Sequence, residues 1–171
     1  MSRFVVITDG ITPLNIRTGP STNNSIVSAL PRTVPVGNEF TSLEVRNVGS
    51  GNNLQRWRRI GTNRWVNEFQ ANGAVRNCLA IQEGWSLSTG PIVSSSRFRV
   101  VNAPNGLNVR IAPTVASAES TVQPSPLVNN TVHNWSGQGA IDPRQPMASN
   151  TRTWIRVANR RWVSAHHVAA A

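Results

Sequence analysis

Apolar and polar residues alternate in short runs along the chain, and Asn, Gly, Ser and Pro separate the runs. Residues 14–17, Leu-Asn-Ile-Arg, follow this period of two, which is typical of a strand with one buried face. The alternation predicts that Leu14 and Ile16 face the core, while Asn15 and Arg17 face outward. Frequent proline and glycine disfavour long helices, so the pattern predicts an all-β chain of short strands.

The chain contains two copies of one pattern. Residues 14–22, LNIRTGPST, return as residues 107–114, LNVRIAPT, which lie 107 − 14 = 93 positions downstream. Residues 57–65, which begin and end with tryptophan, return as residues 154–162 at an offset of 154 − 57 = 97. A repeat of this kind predicts two modules with the same fold.

The repeat divides the chain into a first module over 1–70, a connector over 71–96 and a second module over 97–171. The connector contains enough apolar residues to be ordered, and we expect Leu79 and Trp85 to anchor it.

The second copy is slightly longer than the first. The offset between the copies rises from 93 to 97, which places two small insertions within residues 115–119 and 137–150. The segment 137–146 is rich in Gly and Pro and is predicted to form an irregular hairpin tip. Long surface loops often carry function.

The cations of this chain are all arginine. The formal net charge is +10, lysine and tyrosine are absent from the sequence, and six tryptophans supply most of the aromatic surface. Arginine suits bidentate anion contacts and stacking on aromatic rings. The charge predicts attraction to anionic polymers such as nucleic acid or wall polymers, or to acidic proteins.

The sequence offers no recognisable catalytic, metal or cofactor motif. Its seven acidic residues are scattered, and a phosphate-binding glycine loop is absent. His166 and His167 are adjacent, and neighbouring side chains of a strand point to opposite faces. Cys78 lacks a partner histidine motif. We therefore expect no catalytic residue, no metal and no cofactor, so the chain is not expected to be an enzyme.

The chain has no apolar run of about 18 residues, so no membrane span is expected. Residues 1–8 turn polar too soon for a signal peptide. The compartment is left open, with the cell envelope, the extracellular space or a particle preferred over a cytoplasmic enzyme role.

The best candidates for ligand binding are two tryptophans beside arginines. Strand parity places Trp57 with Arg59 and Trp154 with Arg156, on the face opposite the predicted core. Each pair is either an open aromatic platform flanked by a cation, or a tryptophan covered by a loop or by the other module. Eight arginines form the candidate anion-binding surface, or else a solvated basic face without a specific ligand: Arg56, Arg58, Arg59 and Arg64 in the first copy, and Arg152, Arg156, Arg160 and Arg161 in the second.

Arg17 and Arg110 occupy the same position in the two copies. In each copy the strand alternation places this arginine on the outward face, directly before a loop. We expect each guanidinium to pair with a carboxylate or a carbonyl and so fix the loop.

Residues 14–22 resemble the opening of bacterial SH3-like (SH3b) domains, which typically begin Leu-Asn-Val-Arg-Ser-Gly-Pro. The closing elements of these domains are similar to residues 57–66 and 154–163. The resemblance covers both repeats but not the connector. It implies two small, partly open β-barrels in tandem and a non-catalytic targeting role, often toward peptidoglycan peptides or other wall components.

Three functions follow from these observations. The first is a non-catalytic binding protein whose two similar modules recognise a cell-wall or other repetitive polymer with increased avidity. The second is a structural component that assembles through protein contacts, as a homo-oligomer or within a particle or filament. The third, ranked last, is nucleic-acid binding through arginine and tryptophan.

Overall fold

The computed structural model describes residues 1–9, 11–84, 97–122 and 124–171. Over these residues the chain is all-β, as predicted, with several small antiparallel sheets and three single-turn 3-10 helices. None of the sheets built from the described residues closes on itself. The chain divides into two compact units, Met1–Ala80 and Ile81–Ala171.

The first unit is built from short strands, and several of them end at or directly before Gly, Pro or Asn. Its strands are β1 (Ser2–Val6), β2 (Leu14–Asn15), β3 (Thr33–Val34), β4 (Glu39–Ser42), β5 (Glu44–Val48), β6 (Gln55–Gly61), β7 (Arg64–Gln70), β8 (Val75–Arg76) and β9 (Cys78–Ile81). β1 lies between β4 and β9, β2 pairs with β3, and a four-stranded sheet has the order β5-β6-β7-β8. Single 3-10 turns occupy Gly51–Asn53 and Ala71–Gly73.

The core of the first unit follows the predicted alternation. Leu14 and Ile16 are buried, while Asn15 between them is exposed, so the predicted parity of the first motif is confirmed. Trp65 is also buried. Phe4 stacks on Phe40, with ring centroids 5.6 Å apart, where β1 pairs with β4.

The segment predicted as a connector begins inside the first unit. β8 pairs with β7 and β9 pairs with β1, so the first unit extends beyond the predicted end at residue 70. Leu79, one predicted anchor, is almost fully buried. Trp85, the other anchor, lies outside the described residues.

The described residues of the second unit repeat the same order of elements with fewer strands. They are β10 (Arg97–Val100), β11 (Val132–Asn134), β12 (Gly139–Ile141), β13 (Thr153–Ala158), β14 (Arg161–Ser164) and β15 (Val168–Ala170), with a 3-10 turn at Ala165–His167. β10 lies between β11 and β15, and β13 lies between β12 and β14. The predicted hairpin tip at 137–146 therefore contains a strand, because Gly139 pairs with Ile155.

One buried cluster forms the core of the second unit. It joins strand residues to residues of the repeated motif and includes Phe98, Val100, Leu107, Val109, Leu127, Trp135, Ile155 and Val163. Burial of this much apolar side chain is the main favourable term in folding a unit of this size.

The two copies share one backbone arrangement at their motifs. In the first copy Arg17 N donates to Trp65 O at 2.8 Å, and Trp65 N donates to Arg17 O at 2.9 Å. In the second copy Arg110 and Trp162 exchange the same two bonds, at 2.9 and 2.8 Å. The repeated motif is thus joined to the closing tryptophan in the same way in each unit.

The two motif arginines also play the same role. Arg17 Nη1 donates to Asn24 O at 2.6 Å, and Arg110 Nη1 donates to Ser117 O at 2.7 Å. Each guanidinium therefore ties the motif to a carbonyl seven residues further along the chain. The predicted loop-fixing role of both arginines is confirmed.

Candidate functional site

A cavity of about 360 Å³ lies in the second unit. It is lined by four asparagines, two hydroxyl side chains, one guanidinium, one imidazole, one indole and several apolar groups. The lining residues are Asn102, Ala103, Pro104, Asn105, Gly106, Leu107, Asn108, Arg110, Val115, Asn150, Thr151, Trp154, Ser164 and His167. None of these lining residues is acidic, so the cavity offers neutral polar groups and one fixed positive charge.

The loop between β10 and the second copy of the motif forms one wall of the cavity. Asn102 adopts a φ of 53° and Gly106 a φ of 85°, both in the left-handed region. A Cβ on Gly106 would approach Pro126 Cβ to 3.0 Å and Leu127 O to 3.3 Å. Glycine is therefore required at position 106 for both its backbone angle and its close approach to the neighbouring chain.

Hydrogen bonds to backbone carbonyls hold the cavity walls. His167 Nδ1 donates to Asn102 O at 3.1 Å, which ties the 3-10 turn to the loop after β10. Trp154 Nε1 donates to Thr151 O at 2.9 Å, and Ser164 Oγ donates to Asn150 O. Loops from distant parts of the sequence are thus fixed around one space, so the site is preformed.

Both insertions of the second copy contribute to this cavity. Val115 comes from the first inserted stretch and Asn150 from the second. Val115 is 53% exposed, and Asn150 is also exposed. The longer loop, within 137–150, is the one for which the sequence predicts a functional role, and Asn150 lies at its end. The lining asparagines were missed because no local motif marks them.

The structure decides between the two alternatives for the tryptophans. Trp57 is 1% exposed and Trp154 is 2% exposed, so neither presents an open aromatic platform. Ile155, the neighbour of Trp154, is also fully buried. Since adjacent strand residues point to opposite faces, β13 is covered on both faces. Trp154 forms part of the cavity wall, whereas Trp57 Nε1 donates to Gln55 Oε1 at 3.0 Å.

The arginines predicted to stand beside these tryptophans bind polar groups. Arg59 Nε donates to Glu44 Oε2 at 2.8 Å, and Arg46 Nε donates to Glu44 Oε1 at the same distance. These bonds, with Arg46 the stronger cause, hold the pKa of Glu44 below its usual range. Arg156 Nη1 donates to Gln138 Oε1 at 2.7 Å.

The remaining candidate arginines make several different kinds of contact. Arg64 donates to Pro31 O, and Arg161 Nη2 donates to Pro124 O at 2.7 Å, so both support proline-containing loops. Arg160 is exposed in the turn before β14, with a φ of 53°. Arg58 lies in a separate cluster around Glu68, where its Nε donates to Glu68 Oε2 at 2.6 Å.

The sequence does not signal the cluster around Glu68, because the acidic residues are scattered along the chain. Glu68 is 4% exposed and contacts Arg76 as well as Arg58. A β-bulge explains the placement: Arg56 pairs with Phe69 and Trp57 pairs with Asn67, so Glu68 is the extra residue. Strand alternation alone cannot locate such a bulge.

The described residues contain neither a metal-binding group nor a membrane-spanning helix. Among them, no group of three or more His, Cys, Asp or Glu side chains is arranged to hold a metal ion. No helix in this part of the chain has the length and apolar character needed to cross a membrane.

Comparison of the chain with protein-family models, curated proteins and solved structures finds no match. The cavity and the arrangement of the arginines are therefore the features from which a function can be inferred.

Proposed function

We propose that this chain is a non-catalytic binding protein made of two SH3-like modules, and that the cavity of the second unit holds a segment of a cell-wall or other repetitive polymer. The resemblance of the repeated motif to bacterial SH3-like domains supports the class of module. The repeat and the cavity together favour a tandem binding module as the class of protein.

The observation that carries this proposal is the contribution of both second-copy insertions to one preformed cavity. Val115 and Asn150 belong to the stretches in which the second copy exceeds the first, and both line the same space. An insertion that only lengthened a loop would have no reason to meet the other insertion. A cavity of about 360 Å³ lies within the usual size range of small-ligand sites.

The lining chemistry indicates the kind of ligand. Asparagine side chains supply both donors and acceptors, which suit the hydroxyl and amide groups of sugars and peptides. The indole of Trp154 and the side chains of Leu107 and Val115 supply apolar contact. Arg110 adds a cation that suits a carboxylate of the same ligand. A glycan or short peptide with one carboxylate matches this set.

The test is a cosedimentation assay with purified bacterial cell walls. Val115→Trp places a large side chain at the rim of the cavity without disturbing a buried position, because Val115 is 53% exposed. We expect this variant to lose at least about 90% of the retention, since a filled cavity excludes the ligand. Val122→Trp is the matched control, because Val122 is 58% exposed in the same unit and does not line the cavity.

Two results would count against the proposal. The first is full retention of the Val115→Trp variant, which would show that the cavity is not the site. The second is an equal loss in the Val115→Trp and Val122→Trp variants, which would show a general surface effect. Thermal unfolding of both variants checks that each is folded.

The alternative of a structural assembly protein is less well supported. Tryptophan faces at an interface between copies would favour it, but Trp57 and Trp154 are buried within a single chain. Sedimentation velocity provides the discriminating measurement: a monomer at micromolar concentration supports the binding function, and a large multimer supports assembly.

A further inference from the structure

The first unit carries a cluster in which arginines outnumber carboxylates. We call it the Glu68 cluster, and it consists of Arg56, Arg58, Arg76 and Glu68. Arg58 Nε lies 2.6 Å from Glu68 Oε2, while Arg76 Nη1 and Arg56 Nη1 lie 3.4 Å and 4.0 Å from Glu68 Oε1. Three cations surround one carboxylate, so the cluster has a surplus of two positive charges.

Neutralising Glu68 does not require three arginines. The bond from Arg58 already gives the buried carboxylate a short charge-assisted partner. Arg56 makes only a long contact with the carboxylate, and its side chain is 36% exposed. At least one guanidinium is therefore held near the surface with donors to spare.

Aromatic rings hold the three guanidinium groups in place. Arg56 and Arg76 lie over Phe69, with Cζ 4.9 and 5.2 Å from the ring centroid, and Arg58 lies over Phe4 at 4.3 Å. Stacking of this kind fixes the face of a guanidinium and leaves its edge free to donate. The arginines are thus ordered before any ligand arrives.

One donor of the cluster is unused. Arg76 Nε is buried and finds no hydrogen-bond partner among the described residues. A buried donor without a partner is costly, and an anionic ligand that accepted a hydrogen bond from it would remove that cost.

The second unit provides an internal comparison. At the offset of 97, Arg56, Arg58 and Glu68 correspond to Thr153, Ile155 and Ala165. Those residues are uncharged, although β13 and β14 pair in the same way as β6 and β7 around the shared tryptophans. The module fold therefore does not need the cluster.

We propose that the Glu68 cluster is a binding site for a phosphodiester polymer. Each guanidinium can donate two parallel hydrogen bonds to the non-bridging oxygens of a phosphate, and two surplus charges match two successive phosphates. Two polymers share this chemistry, a single-stranded nucleic acid and a polyol-phosphate wall polymer. The site lies in the first unit and shares no residue with the cavity of the second unit.

The test uses the full chain and a fluorescein-labelled oligothymidylate of 12 nucleotides. Anisotropy is measured at 50, 100 and 200 mM NaCl, and unlabelled poly(glycerol phosphate) is added as a competitor. We expect binding that weakens with salt. The variant Arg56→Gln/Arg76→Gln should lower the affinity about tenfold or more at 50 mM NaCl. It should also make the log–log salt dependence shallower by about 1.4, because two phosphate contacts are lost.

The matched control is Arg97→Gln/Arg99→Gln. It removes the same charge from two exposed positions of β10 in the second unit. We expect its affinity to stay within about twofold of the unsubstituted chain, because these positions lie outside the cluster. Arg56→Lys/Arg76→Lys keeps the charge and removes the planar fork, so we expect an intermediate affinity.

Protection of Cys78 from a thiol reagent reports whether the first unit of each variant is folded, since Cys78 is buried there. If the glutamine variant proves unfolded, the lysine variant decides: unchanged affinity would then overturn the proposal. Equal losses in the cluster and control variants would also overturn it, because only net charge would matter. So would the absence of binding to both polymers at 50 mM NaCl.

Competition between the two polymers identifies the source. Displacement of the oligonucleotide by poly(glycerol phosphate) at an equal phosphate concentration supports a wall polymer as ligand. Failure to displace it supports a nucleic acid. Both outcomes uphold the site. They are also independent of the Val115→Trp result, so failure of the cavity proposal would be recognised separately.

Discussion

Substitution of Gly106 by alanine is expected to destabilise the second unit by about 2 kcal/mol. A left-handed φ costs an L residue about 1–2 kcal/mol, and Gly106 adopts a φ of 85°. The new Cβ also meets Pro126 Cβ at 3.0 Å, which forces a shift in a packed neighbour. The reduced freedom of the unfolded chain offsets only about 0.4–1 kcal/mol.

Gly137→Ala is the matched control for the backbone angle alone. Gly137 adopts a φ of 70°, but a Cβ there has no atom within 4 Å. We therefore expect a loss of about 1 kcal/mol or less for this variant. The difference in the free energy of unfolding between the Gly106→Ala and Gly137→Ala variants therefore gives the cost of the contact with Pro126.

The assay is urea unfolding followed by circular dichroism and tryptophan fluorescence. We expect Gly106→Ala to have a clearly lower midpoint than Gly137→Ala, with an unchanged slope. Identical midpoints would refute the reasoning, because they would show that Pro126 yields without cost. Since Gly106 lines the cavity, the same variant should also bind cell walls more weakly.

Three further outcomes are expected. Arg110→Met should destabilise the second unit by about 1–3 kcal/mol in urea unfolding, because it leaves Ser117 O without the guanidinium bond of 2.7 Å; a change below about 0.5 kcal/mol would contradict the loop-fixing role. Burial, with a smaller contribution from Arg161, holds the pKa of His133 below its usual value, so the folded state binds fewer protons than the unfolded state. The contribution of His133 to the free energy of unfolding should therefore be fully present above about pH 6.5 and be lost as the pH falls through the folded pKa. His133→Gln should flatten the dependence of this free energy on pH, measured from pH 5 to 7.5. An unaltered dependence would exclude His133 as its source. Burial, followed by the charge of a nearby glutamate, raises the pKa of the Cys78 thiol. Alkylation of this thiol by iodoacetamide at pH 8 should therefore proceed only as fast as the first unit opens. Rapid labelling under native conditions would contradict this burial.

The features that were predictable from sequence are those that depend on local alternation and on the repeat. Leu14 and Ile16 are buried because a strand places every second residue on one face. Arg17 and Arg110 were predictable as loop-fixing residues, since the same position recurs with the same parity. The all-β class follows from many short alternating runs.

The features that were not predictable depend on contacts between distant segments. Parity alone placed Trp57 away from the core, but it could not show that a second layer covers that face. The bulge that turns Glu68 toward the arginines adds one residue to a strand without any signature in the sequence. The cavity joins residues near positions 102, 115, 150 and 167, and no pattern in the sequence links them.

The position of β9 beside β1 has a practical consequence for how the chain can be divided. β1 pairs with β4 on one side and with β9 on the other, so the first unit is complete only when residues 78–81 are present. A fragment that ends at residue 70 would leave one edge of β1 with unpaired backbone groups. Such an edge, next to the apolar side chains of Phe4, Val5 and Val6, is a template for intermolecular pairing. A fragment that continues through Ile81 keeps that edge covered, and is the shortest version of the first unit that should stay monomeric at high concentration.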